Sequence, residues 1–153
     1  LGQQKDFAGA VRWNEVAVRF TSHLKPANIM LGVYYALNNE RDKGIAHYRT
    51  LLETDPVEPE YWLRLAWIYS QEDVARALQT LDEAIARVPE ARQLYIEGFR
   101  YALEKRPDAA KGYLRRWLER HPDDREMANA LAGVDSMIEA SGAPPEGALQ
   151  PGR

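Results

Sequence analysis

Three prolines, Pro56, Pro89 and Pro122, stand 33 residues apart, twice over. Each closes a segment whose apolar residues recur with helical spacing: 45–52, 77–88 and 110–121. Proline ends a helix because it has no amide hydrogen and its ring clashes with the turn before it. Other positions keep the same register. Trp62 and Tyr95 are 33 apart, with Ala128 a further 33 on, and Tyr35 and Tyr69 are 34 apart. Gly44, Ala77 and Ala110 recur at 33, as do Tyr48, Leu81 and Leu114, and Leu51, Ala84 and Trp117. A fixed period of this length predicts stacked helical units, each burying its apolar face against its neighbours.

The unit resembles the tetratricopeptide repeat. That pattern sets a large residue, a Leu-Gly pair and a Tyr on a first helix. A second helix follows, with a small residue, an aromatic, another small residue and a terminal proline. The first unit reads Asn28, Leu31-Gly32, Tyr35, Gly44, Tyr48, Leu51, Pro56; the second reads Trp62, Leu65-Ala66, Tyr69, Ala77, Leu81, Ala84, Pro89. The third reads Tyr95, Gly98-Phe99, Ala102, Ala110, Leu114, Trp117, Pro122. Small residues let helices approach, and large ones fill the space beside them. Phe99 and Trp117 are bulky where small residues are usual. They should widen the helix crossing or be matched by a small neighbour such as Ala102. The last two units lack one residue, expected to be lost from the turn between helices. Ankyrin shares the period but needs a hairpin and a Thr-Pro-Leu-His start, which are absent.

The resemblance implies an all-α fold, a right-handed α-α superhelix of antiparallel helix pairs. Upstream, Ala10 and Asn14 precede Gly44 and Tyr48 by 34 residues. Residues 1–23 are therefore expected to hold the second helix of a preceding, truncated repeat. Repeats are expected over 24–58, 59–91 and 92–124. A capping helix should follow over 125–140, started by Asp123 or Asp124. Ala128, Leu131 and Ala132 should continue the register inward, with Glu126, Asp135 and Glu139 outward. The Pro/Gly-rich residues 141–153 are expected to be a disordered tail. Because the chain begins at Leu1, it reads as a processed or excised piece of something longer.

Composition narrows the function. The 153 residues carry a net charge of −3, and no basic face suggests nucleic acid. There is no cysteine, so disulfides and thiol chemistry are excluded. That fits the cytoplasm or a bacterial periplasm, with an upstream tether left open. No apolar run approaches the roughly 18 residues of a membrane helix. His23, His47 and His121 lie in three different units and read as surface or helix-end residues, without metal-pair spacing. No glycine-rich phosphate loop or nucleophile motif is present. No enzyme activity, cofactor or metal is expected. Arg115, Arg116, Arg120 and Arg125 alternate with acidic residues and read as a mixed solvated face.

In the tetratricopeptide family the first helix of each pair lines a concave, ligand-binding groove. By that resemblance the groove here is Ile29, Met30, Val33 and Leu37; then Leu63, Arg64, Trp67 and Gln71; then Ile96, Glu97, Arg100 and Glu104. Members that clamp a terminal carboxylate use Lys and Asn where this chain has Ile29 and Val33, so no such clamp is expected. Val33 reads as packing between first helices, while Trp67 reads equally as packing or as groove surface. The implied partner is a peptide or amphipathic helix of another protein, in bacterial complex assembly, secretion or envelope biogenesis. Two other readings stand beside it: a repeat domain of a larger enzyme or membrane protein, and a homodimer. The homodimer would use an open end formed by Phe7, Ala10, Val11, Asn14 and Ala17.

Overall fold

The computed structural model describes residues 6–20 and 24–140. These hold α1 Phe7–Phe20, α2 Lys25–Leu37, α3 Arg41–Thr54, α4 Pro59–Ser70, α5 Val74–Arg87, α6 Arg92–Ala102, α7 Pro107–Leu118 and α8 Arg125–Ala140. Among the described residues there is no strand. Each helix packs on the next in sequence; in addition α2 packs on α4, and α4 on α6. The backbones of α3, α5 and α7 stay apart from one another. Helices α2, α4 and α6 therefore form a close inner row, while α3, α5 and α7 splay outside it. That is a helical-repeat superhelix. The expected tail and His23 lie outside the described residues.

The helix boundaries have local causes. Pro59 and Pro107 open α4 and α7, where a missing amide hydrogen costs nothing. Pro56, Pro89 and Pro122 fall in the turns that follow α3, α5 and α7. The large residue of the next first helix reaches back to such a turn. Trp62 Nε1 donates to the Pro56 carbonyl at 2.9 Å, and the Tyr95 hydroxyl donates to the Pro89 carbonyl at 3.0 Å. Asp73 accepts from the Arg76 amide at 3.0 Å and Asp124 from the Met127 amide at 3.1 Å, so Asp124, not Asp123, caps α8. After α2 the chain turns through Asn39 at φ 61°, with the Glu40 amide donating to the Tyr35 carbonyl at 2.8 Å. The Asn39 amide donates to the Ala36 carbonyl at 3.3 Å, completing a Schellman turn.

The residue missing from the later units is lost from a helix and not from the turn. α2, α4 and α6 span 13, 12 and 11 residues, whereas the turns at 38–40 and 71–73 are equally long.

Tyr48, Leu81 and Leu114 are wholly buried, as are Ala77, Ala84 and Ala110. The fit between helices is made differently in each pair. In the first, a Cβ on Gly32 would overlap the Tyr48 ring. In the third, it is Gly98 whose Cβ would overlap the Tyr113 ring. The small residue has moved back one position, and the large residue facing it has moved back as well. Phe99 is half-buried against the core. Trp117 is also absorbed: its Nε1 donates to Asp124 at 2.8 Å, and its ring stacks on His121 at 3.7 Å.

Two further expectations are corrected. In α8 the buried residues are Met127 and Val134, with Leu131 half-buried, while Ala128 and Ala132 are exposed. An i, i+4, i+7 stripe selects these residues, and Asp135 turns back to pair with Lys111. His47 is not at a helix end. It sits inside α3, half-buried, with Nε2 donating to the Asn28 carbonyl at 2.7 Å.

Candidate protein-binding groove

The inner row presents first-helix side chains in sequence. Two adjoining clefts lie along it. One, of about 270 Å³, is lined by Leu63, Arg64 and Trp67 of α4 and by Gln93, Glu97, Arg100 and Tyr101 of α6. The other, of about 290 Å³, is lined by Ala36 and Leu37 of α2, by Trp67 and Ile68 of α4, and by Gln71 and Glu72. Trp67 walls both. Its inner edge packs on the buried core, so it is both core and groove surface.

The twelve expected groove residues divide by exposure. Met30, Leu37, Gln71, Arg100 and Glu104 are exposed. Val33, Arg64 and Glu97 are half-buried, and Ile29, Leu63 and Ile96 rest against the core. Glu104 lies in the turn after α6 and not on the helix, because α6 ends at Ala102. Tyr101 and Gln93 line the α4–α6 cleft and do not occupy the positions carried over from the family. Their four-residue steps from Glu97 could have indicated them.

Charge is concentrated at the α4–α6 end. Arg100 Nε donates to Glu97 at 3.0 Å, and Gln93 Nε2 donates to the same carboxylate at 3.3 Å. Arg64 pairs with Glu60 one turn back, while its Nε is buried with no hydrogen-bond partner. Burial pushes the Tyr101 phenol above its ordinary value, with Glu97 adding to the rise. At the other end Met30 and Leu37 expose apolar surface, with the Arg41–Glu72 ion pair at 3.0 Å on the wall of the cleft that Leu37 lines. Among the described residues no group of three His, Cys, Asp or Glu could hold a metal ion, and no helix is long and apolar enough to cross a membrane.

Arginines of the third unit are engaged. Arg116 donates to Asp82 at 2.8 Å and Arg120 pairs with Glu90, both bridging to the second unit. Arg92, at the start of the inner-row helix α6, holds Asp124 and Glu126. A wider cleft of about 600 Å³ opens between α3 and α5, with Trp62, Leu65 and Tyr69 at its floor and mixed charges at its rim.

At the N-terminal end Val11 is buried, and Phe7, Ala10, Asn14 and Ala17 are half-buried, on a helix that packs on α2. These five are therefore covered in part. The strongly exposed apolar residues of α1 are instead Trp13, Val16 and Phe20.

Residues 29–95 match the family model for the tetratricopeptide repeat. No curated protein sequence matches the chain. Solved structures share its fold. The crystal structure of MamA is 16% identical, with a TM-score of 0.61, covering 90% of this chain and 80% of that one. The first TPR of Spaghetti (RPAP3), bound to the HSP90 peptide SRMEEVD, is 23% identical, with a TM-score of 0.54, covering 73% and 90%. The Yersinia enterocolitica type III secretion translocator chaperone SycD is 15% identical, with a TM-score of 0.53, covering 78% and 83%.

Proposed function

We propose that this chain is a non-enzymatic scaffold that holds a peptide or amphipathic helix of another protein in the groove of α2, α4 and α6. The observation that carries the reading is Trp67, one indole walling two adjoining clefts between first helices. A large amphipathic ring at the centre of a concave surface is the kind of residue on which binding energy concentrates. Exposed Met30 and Leu37 supply adaptable apolar contact at one end. Arg100 and Glu97 supply charge at the other. The fold shared with a peptide-bound RPAP3 domain and with the chaperone SycD supports a protein partner. Ile29 and Val33 occupy the carboxylate-clamp positions, so the partner is held along its side and not by its C-terminus. A role in bacterial complex assembly, secretion or envelope biogenesis is the process we assign.

The test is capture from the native host with wild-type, Trp67→Ala and Arg100→Ala baits. Loss of a hot spot costs about 2 kcal/mol or more, roughly thirtyfold in affinity. Both variants should therefore lose the partner while circular dichroism stays that of the wild type. Equal capture by all three baits removes the groove from the account.

A further inference from the structure

One cleft of the outer row stays open where its neighbour is closed. Between α3 and α5 it measures about 600 Å³, against about 300 Å³ for the corresponding gap between α5 and α7. Tyr113 of α7 reaches across to α5, its hydroxyl donating to the Leu78 carbonyl at 3.3 Å; the same position on α5 is the small Thr80. Arg116 also crosses from α7, to Asp82 at 2.8 Å. One unit earlier those two positions are Glu83 and Arg49, with the charges exchanged, and no ion pair joins them. Arg120 pairs with Glu90, whereas Arg87 and Val57 hold those positions one unit earlier, so Arg87 has no such partner.

Arg49 turns instead to Tyr69, donating to its hydroxyl at 2.9 Å. The Arg76 guanidinium lies over the same ring, 4.3 Å from its centroid. One buried phenol thus gathers two guanidiniums at one end of the cleft. Among the described residues neither has a carboxylate in ion-pair contact. Beside them Leu52, Trp62 and Leu65 make an apolar floor. Arg87 lines the same cleft three turns further along α5, roughly 16 Å away.

We propose that this cleft is a second binding site, for an acidic segment of a partner protein. One carboxylate of the segment sits on Arg49 and Arg76, an adjoining large apolar side chain fills the space beside Thr80, and a second carboxylate meets Arg87. Planar guanidiniums suit carboxylates, taking both oxygens at once. The separation of Arg76 from Arg87 is too long for one small carboxylate, and an extended peptide of about five residues spans it. Glu53 and Glu83 on the rim oppose the greater charge of a phosphate more than that of a carboxylate. The cleft lies between outer-row helices, apart from the groove of α2, α4 and α6, so the two readings fail independently.

The test is a nitrogen-15 NMR titration of the full chain with the capped hexapeptide Glu-Leu-Phe-Ser-Ala-Glu. Amide shifts should concentrate on α3 and α5, around Arg49, Arg76 and Thr80. The counterpart with Gln at both ends should bind about tenfold more weakly, the scale of a hydrogen bond to a charged group. Arg76→Gln should cause a similar loss. Arg115→Gln, at an exposed arginine outside the cleft, and Trp67→Ala, in the groove, should cause none. Arg76 is exposed, so its substitution leaves the fold intact. Absence of localised shifts overturns the proposal, as does equal binding of the two peptides or an equal loss from Arg76→Gln and Arg115→Gln. Tighter binding of inorganic phosphate or of benzoate than of the peptide overturns it too, by giving the cleft to a phosphate or to a small carboxylate.

Discussion

At the scale of single residues, the third helix pair shows how one contact can be exchanged for another. Gly98 lies opposite Tyr113, where the second pair has Leu65 and Thr80. The large and small partners have traded places. Gly98→Leu alone should overpack the crossing, at about 1–3 kcal/mol. Tyr113→Thr alone should leave a cavity. The double variant restores the combination of the second pair, so its chemical denaturation midpoint should recover much of what either single change loses. Strict additivity of the two losses would refute the pairing. His47 offers a second residue-scale measurement. Burial holds its imidazole below the ordinary value, against the weaker upward pull of the Asn28 carbonyl. A histidine whose pKa is lowered on folding binds fewer protons folded than unfolded. Its stabilisation is complete above the unfolded value, about 6.5, and is lost as pH falls from there through the lower folded value. Melting temperature should therefore drop between pH 7 and pH 5, and His47→Gln should flatten that drop. Arg92 and the Met127 amide hold Asp124 well below the usual carboxylate range, so its contribution is lost only at more acid pH.

At the scale of elements, α8 depends on a shared carboxylate. Asp124 accepts from the Met127 amide, the Trp117 indole and the Arg92 guanidinium. It caps α8, ties it to α7 and ties both to α6. Asp124→Ala removes all three connections while leaving the Met127 and Val134 contacts in place. Hydrogen exchange should then speed up over 125–140 well before it does in α4 and α5. Uniform acceleration along the whole chain would show that α8 is not an independently opening unit. The proline spacing located most of these helices, because a proline beyond the first turn cannot continue a helix. The buried stripe of α8 departs from the repeat register. Extrapolating a 33-residue period assumes another full unit, whereas a capping helix has a neighbour on one side only. It rotates to bury what that side needs.

At the scale of the whole molecule, stability is a sum over neighbours. Several ion pairs join adjacent units, among them Arg41 with Glu72 and Arg116 with Asp82, but they lie near solvent. Exposed pairs contribute little and are screened by salt. Leu81, wholly buried in the central α5, is different: Leu81→Ala should cost about 2–5 kcal/mol. Urea denaturation should show that loss plainly, while 1 M salt moves the wild-type midpoint far less. A salt effect as large as that of Leu81→Ala would mean that the ion pairs hold the stack together.

The sequence by itself determined the repeat and the succession of helices, which follow from period and from which residues cannot continue a helix. The antiparallel pairing and the inner row of first helices came with the resemblance to the tetratricopeptide repeat. Tertiary structure alone decided which groove residues are free. Ile29, Leu63 and Ile96 sit at family binding positions yet rest on the core, because exposure depends on how closely adjacent units pack. It also decided that Trp67 serves core and groove together, and that the open face of α1 belongs to Trp13, Val16 and Phe20. Helical spacing groups residues onto a face, but only the neighbouring helix determines whether that face is covered.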